Sequence, residues 1–242
     1  MSVLIDTSAI SSVGASGATT QTFTNGGSPG FTMNLGSGPN GTSNRALIVA
    51  VIFIGAAGGT SSGVSCTWNG VSMTQLATAV NGGDIFLFGL RNPATGSNNV
   101  VVSWTGANQC AIALLSVVNA DQSADATTFI NRTTNTGTAS PNSIAVTNPS
   151  GNIAVAGHVV VANYSTAGNT DIGHNNNGSR NSAAANYDTG VNPTLTYAFT
   201  SGTVWSSVGC SIAAVAGAAP AYNSPPPRNA FVDEETGEIL AA

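Results

Sequence analysis

Between Arg45 and Gly55 the chain runs through an unbroken apolar stretch, ALIVAVIFI (46–54), rich in β-branched side chains. It is too short to cross a bilayer as a helix, and it lacks the apolar/polar alternation of a strand with one wet face. Such a run is the pattern of a strand buried on both faces. A second stretch of this kind, NIAVAGHVVVA (152–162), is interrupted by His158. Ala46 to Ile54 and Ile153 to Val161 are therefore expected to be the central strands of whatever sheets form.

The segments around them read as further strands. VSCTW and VSMTQL are joined by Asn69-Gly70, and these two residues supply the positive φ angles of a type I′ hairpin turn. DIFLFGL (84–90) follows the Asn81-Gly82-Gly83 turn, and Pro93 to Gly96 forms another turn before NVVVSWT (99–105) and CAIALLSVV (110–118). The second half repeats the style through 127–133, 143–147, 182–188, 194–200 and 204–216, with Gly, Asn and Pro between strands. No segment carries sustained helical periodicity. The expectation is an all-β fold: one antiparallel, jelly-roll-like β-sandwich with Greek-key connections and roughly ten to twelve strands. It spans residues 1–216, with 1–44 loosely structured. Asn163 to Asn181 is a long segment without strand patterning, read as a surface loop. Residues 217–242 form a separate extended C-terminal arm. Pro225, Pro226 and Pro227 impose polyproline geometry there. Phe231 and Val232, with Ile239 and Leu240, flank a Glu235 to Glu238 turn, which suits a docking hairpin.

Charge narrows the function. Only 6% of the 242 residues are charged, with five arginines, ten acidic residues and no lysine, against about a quarter in an ordinary globular chain. Four of the acids lie in the last ten residues, so the folded body is nearly neutral. The arginines are far apart, which disfavours nucleic acid and anionic membrane as partners. The start, MSVLIDTSAI, lacks the features of an export signal. Cys66, Cys110 and Cys210 are odd in number and sit within apolar runs, as buried thiols rather than a disulfide framework.

Reactive chemistry is sparse. General acid–base work needs titratable groups placed together, and here His158 interrupts a strand while the aspartates stand at turns and strand ends. His174 lies close to Asp171, but no nucleophile-elbow sequence accompanies them. Cysteine and histidine spacing matches no metal motif, and Asp121 with Asp125 is too few for a calcium loop. No catalytic residue, metal or cofactor is assigned. Trp68 and Trp104 read as core. Tyr164, Tyr187 and Trp205 are less committed and form the candidate surface for stacking on sugar rings. That makes a glycan-binding module or tail adhesin the alternative function.

The stretch ALIVAVIF…VSCTWNGVSMTQLATAVNGGDIFLFGLRNPATGSNNVVVSWTG, with CAIALLSVVNADQSA after it, resembles a β-sandwich pattern of structural proteins in bacteriophage virions. The match runs in order through Trp68, Asn69, Gly70, Met73, Thr74, Leu90, Asn92, Pro93, Gly96, Val100, Val102 and Trp104, over residues 46 to about 124. Proteins of that kind look like capsid decoration, head-fibre or tail-associated components. The resemblance implies a non-enzymatic virion protein assembled in the host cytoplasm, with neighbouring copies and other virion proteins such as the major capsid protein as partners. Low surface charge and the need to cover strand edges point to a symmetric homo-oligomer, such as a trimer.

Overall fold

The computed structural model describes residues 1–14, 19–38, 43–54, 61–81, 83–106, 109–176, 182–200 and 203–216, and the backbone at 231–232 and 239–240. The first half contributes β1 (Leu4–Ile10), β2 (Thr20–Asn25), β3 (Gly30–Phe31), β4 (Ala46–Ile54) and β5 (Ser62–Trp68). It continues with β6 (Val71–Ser72), β7 (Thr74–Val80), β8 (Asp84–Arg91), β9 (Val100–Thr105) and β10 (Gln109–Val118). A single helical turn, α1 (Asp125–Thr128), leads into β11 (Phe129–Gly137), β12 (Asn142–Ala145), β13 (Ile153–Val160) and β14 (Tyr164–Ala167). Then follow β15 (Thr170–Asn175), β16 (Ser182–Asp188), β17 (Thr194–Phe199) and β18 (Trp205–Ile212).

These strands form four sheets, not the expected two. In order, they are β3-β2-β9-β5-β6, β1-β10-β4-β8-β7, β11-β18-β13-β16-β15 and β12-β17-β14. Pairing is antiparallel throughout, apart from the short β2–β3 contact. The sheets stack in the order just given, and the reason lies in the side chains of β4. Leu47, Val49, Val51 and Phe53 face the β2-β9-β5 sheet in one core, with Phe23, Trp68 and Val102. Ala46, Ile48, Ala50, Ile52 and Ile54 face the other way, into a core shared with Ile153, Val155, Val208 and Ile212. Every residue of β4, β13 and β18 is buried, because each of these strands lies in an inner layer with a sheet on both sides.

The halves also repeat one another in strand order. Replacing β1, β10, β4, β8 and β7 by β11, β18, β13, β16 and β15 converts one inner sheet into the other, and β2, β9 and β5 correspond to β12, β17 and β14. The chain is thus two sandwiches of like topology, stacked through their inner sheets. Contact at the centre is close. A Cβ on Gly157 would lie 2.8 Å from Ala50 Cβ and 3.0 Å from Ile85 Cδ1, so glycine is what lets β13 approach β4.

The turns explain the asparagines. Among the described residues, the non-glycine positions at positive φ are Asn44, Asn69, Asn92, Asn119, Asn131 and Asn192. Asparagine tolerates the left-handed region better than other side chains. Asn69 (φ 49°) and Gly70 (φ 77°) form the expected two-residue hairpin turn, with Trp68 paired to Val71. The 163–181 segment, expected to be irregular, contains β14 and the edge strand β15. Its polar residues are tolerated because an edge strand has one side in water.

The junction between sandwiches is held by ions and hydrogen bonds. Arg91 Nε donates to Asp125 Oδ1 at 2.6 Å, Arg91 Nη1 to Gln122 O at 2.6 Å, and Thr74 Oγ1 to Asp125 Oδ2 at 2.5 Å. The Thr74 bond and then the Arg91 guanidinium hold the Asp125 carboxyl below its ordinary range. At 231–232 and 239–240 the backbone forms a two-rung antiparallel ladder, Phe231 with Leu240 and Val232 with Ile239. Pro225, Pro226 and Pro227 lie outside the described residues.

Candidate functional site

Most of the chemistry-bearing side chains gather in the second sandwich. Strand alternation places Ile153, Val155 and Val159 toward the shared core, so Ala154, Ala156 and His158 face the β12-β17-β14 sheet. His158 is fully buried. Its Nδ1 lies 2.8 Å from Ser207 Oγ and its Nε2 3.0 Å from Asn186 Oδ1. Asn186 Nδ2 donates to Thr196 O at 2.9 Å, which fixes Oδ1 as the acceptor toward the ring. The proton therefore sits on Nε2, and Nδ1 accepts from Ser207. Burial holds the imidazole pKa down to about 4. Near neutral pH the ring is uncharged and both nitrogens are committed.

A second tier leads from this interior to the edge. The Tyr197 ring is 6.0 Å from that of His158 and 4.8 Å, edge-on, from that of Tyr164. Its hydroxyl donates to Asp171 Oδ1 at 2.7 Å and stands 3.0 Å from His174 Nδ1. With the phenol proton given to Asp171, its oxygen accepts from His174. Burial, and then the neighbouring Asp171 carboxylate, push the Tyr197 phenol well above its ordinary range. Deeper in, Asn142 Nδ2 donates to Tyr164 Oη at 2.8 Å. Two enclosed atoms, Asn142 Oδ1 and Ser182 Oγ, have no partner. This arrangement orients one edge imidazole, on His174, through a carboxylate and a phenol. Among the described residues no three His, Cys, Asp or Glu side chains converge as a metal site would require.

The aromatic residues expected to stack on sugars do not form a surface. Tyr164 is 3% exposed and Trp205 4%, and Trp205 Nε1 is tied to Ala139 O at 2.8 Å. Tyr187 packs half-buried against the shared core. Stacking on a sugar needs an open ring face, and the inner positions of β14 and β18 enclose these two rings. The cysteines sit where expected, unpaired and buried. Burial raises the Cys66 thiol furthest and pushes Cys110 and Cys210 up to about 12, so none is a thiolate at neutral pH.

Sequence reasoning missed two features. The His158–Asn186–Ser207 triplet joins residues on three strands, and only the sheet order brings them together. A recess of about 310 Å³ beside the Asn69-Gly70 turn is lined by Thr22, Asn69, Ser97, Asn98, Asn99 and Val101. The clustered asparagines of the turns were its signal. Searched against protein-family models, curated proteins and solved structures, the chain matches none of them.

Proposed function

We propose that this chain is a structural, non-enzymatic component of a bacteriophage particle, a decoration or cement protein that works by contact area. The observation that carries this reading is the distribution of polar groups. The strands of both outer sheets carry no charged residue, and their outward positions are mostly Thr and Ser, as in Thr20, Thr22, Ser65 and Thr67 of one and Ser143, Thr194 and Thr196 of the other. Among the described residues, several ionisable groups are instead paired within the fold or held at the junction between sandwiches, as in Asp6–Arg45 and Arg91–Asp125. Surfaces of this kind repel one another little and suit packing side by side in a shell. The strand order of each half is read as jelly-roll-like, a layout well suited to tiling.

In this reading residues 217–242 are the anchor, with the proline segment as spacer and the Phe231–Val232 and Ile239–Leu240 pairs as the docking hairpin. Partners are other copies in a symmetric oligomer and the shell beneath, and assembly takes place in the host cytoplasm. Deleting residues 223–242 is expected to leave a folded protein with an unchanged thermal transition that no longer joins particles in a reconstitution assay. Incorporation at the full-length level would remove the arm from the account.

A further inference from the structure

The recess at the end of the first sandwich offers a set of hydrogen-bonding groups that the fold leaves unused. Its frame is rigid. Asn69 N donates to Asn99 O at 3.1 Å, and Asn25 N to Asn99 Oδ1 at 3.0 Å. Asn98 Nδ2 bridges Ala94 O and Thr95 O at 3.3 and 2.9 Å. These bonds consume backbone groups, one amide oxygen and one amide nitrogen. Left over are both ends of the Asn69 amide, Asn98 Oδ1, Asn99 Nδ2 and the hydroxyls of Thr22 and Ser97. Gly70 adds no bulk, since nothing lies within 4 Å of where its Cβ would stand. Val101 supplies an aliphatic wall.

The recess opens onto a row of small side chains. Thr22 pairs with Val101, Val101 with Thr67, and Thr67 with Ser72. The row thus crosses four strands at the spacing of about 4.8 Å between neighbours. Neither recess nor row contains a charged residue. Amides and hydroxyls around an aliphatic patch match the alternating hydroxyl and C–H surfaces of a pyranose. The absence of charge in both gives no attraction to a phosphate, sulfate or uronate. The volume sits at the low end of ligand pockets, enough for a terminal sugar, with the row carrying the units that follow.

We propose that the Asn69–Asn99 recess and the adjoining Thr22–Thr67 row bind a neutral oligosaccharide. This goes beyond the structural role and does not depend on it. The test is titration of the isotope-labelled full chain, followed by NMR, with maltohexaose, laminarihexaose and chitohexaose as neutral probes and hexagalacturonate as the charged one. At least one neutral probe is expected to shift the side-chain amide signals of Asn69 and Asn99 and the Gly70 amide. Binding should saturate in the millimolar range and be indifferent to salt. Asn69→Gly, which keeps the turn conformation, and Thr22→Val, which keeps the volume, should each weaken binding roughly fivefold, as one neutral hydrogen bond is worth. Spectra of both variants outside the recess should match those of the parent. The proposal is overturned if no neutral probe moves these signals, if only hexagalacturonate does, or if the two variants bind as well as the parent.

Discussion

The two sandwiches share a strand order and differ in what fills them. In the first, the outer core is aromatic: Phe53 meets Phe86 and Trp104 edge-on at 5.8 and 5.3 Å, with Phe23 and Trp68 fully enclosed beside them. Its chief polar insertion is one ion pair, Asp6 with Arg45. In the second, the corresponding space also encloses rings, Tyr164, Tyr197, Phe199 and Trp205, but sets them beside small apolar residues such as Ala154 and Ala156 and the neutral network around His158. The same connections therefore tolerate an aromatic filling with or without a buried neutral hydrogen-bond network. What both halves keep in common is the aliphatic face between them, which is expected to couple them into one unfolding unit.

The largest effect is expected from the ion pair. Asp6 Oδ2 accepts from Arg45 Nε at 3.2 Å, Ser116 Oγ at 3.0 Å and Gly36 N at 3.0 Å, and Oδ1 accepts from Gly38 N at 3.2 Å. Asp6→Ala leaves the Arg45 charge in a site 3% exposed, which should cost about 3–5 kcal/mol in urea unfolding. Because the inner faces are shared, the loss should appear as one transition that carries the second sandwich with it. Two separated transitions would mean that the halves are independent.

The second sandwich is distinguished by acid. His158 has a folded-state pKa near 4, below the ordinary value of 6.5, so the unfolded chain binds more protons between those values. Stability is full above pH 6.5 and declines as pH falls toward 4, by roughly 3 kcal/mol from this group. His158→Gln should flatten that part of the profile relative to the parent, with the rest of the profile unaffected. An unchanged slope in the glutamine variant would remove His158 as its source.

Much of this contrast was legible in part. Alternation and turn residues located nearly every strand, because a period of two and an Asn-Gly pair are local properties. The Asn69-Gly70 hairpin is one such case. The number of layers was not legible in that way. ALIVAVIFI signalled a strand covered on both sides, but which sheets do the covering depends on pairings such as Ala50 beside Gly157, more than a hundred residues apart. The repeat left a trace in Asn92-Pro93 and Asn192-Pro193, which follow β8 and β16 with Asn92 and Asn192 both at positive φ. The sugar-stacking assignment failed for Tyr164 and Trp205 because their strands bury the positions on which they fall. The recess escaped notice because its asparagines read simply as turn formers.

The shared face itself can be probed more gently. Gly157→Val would drive a branched side chain into Ala50 and Ile85, an overpacking expected to cost about 1–3 kcal/mol. Gly157→Ala combined with Ala50→Gly moves the methyl across the interface. The pair should lose less than the sum of the two single changes, and strict additivity in unfolding experiments would show that the sheets do not meet there.

The smallest effect belongs to the hairpin turn of the first sandwich. Asn69 holds φ at 49°, where alanine pays for its Cβ and asparagine is tolerated. Asn69→Ala should therefore lower stability by about 1 kcal/mol, whereas Asn69→Gly should be close to neutral because glycine adopts the same angle without strain. Asn192, with φ also at 49°, makes the parallel test in the second sandwich: alanine there should cost as much from backbone strain. It should cost more in total, since Asn192 Oδ1 also accepts from Asn148 N at 2.8 Å. Equal losses at the two positions in chemical denaturation would mean that this side-chain bond adds nothing, and that the turns of both halves are governed by backbone angle alone.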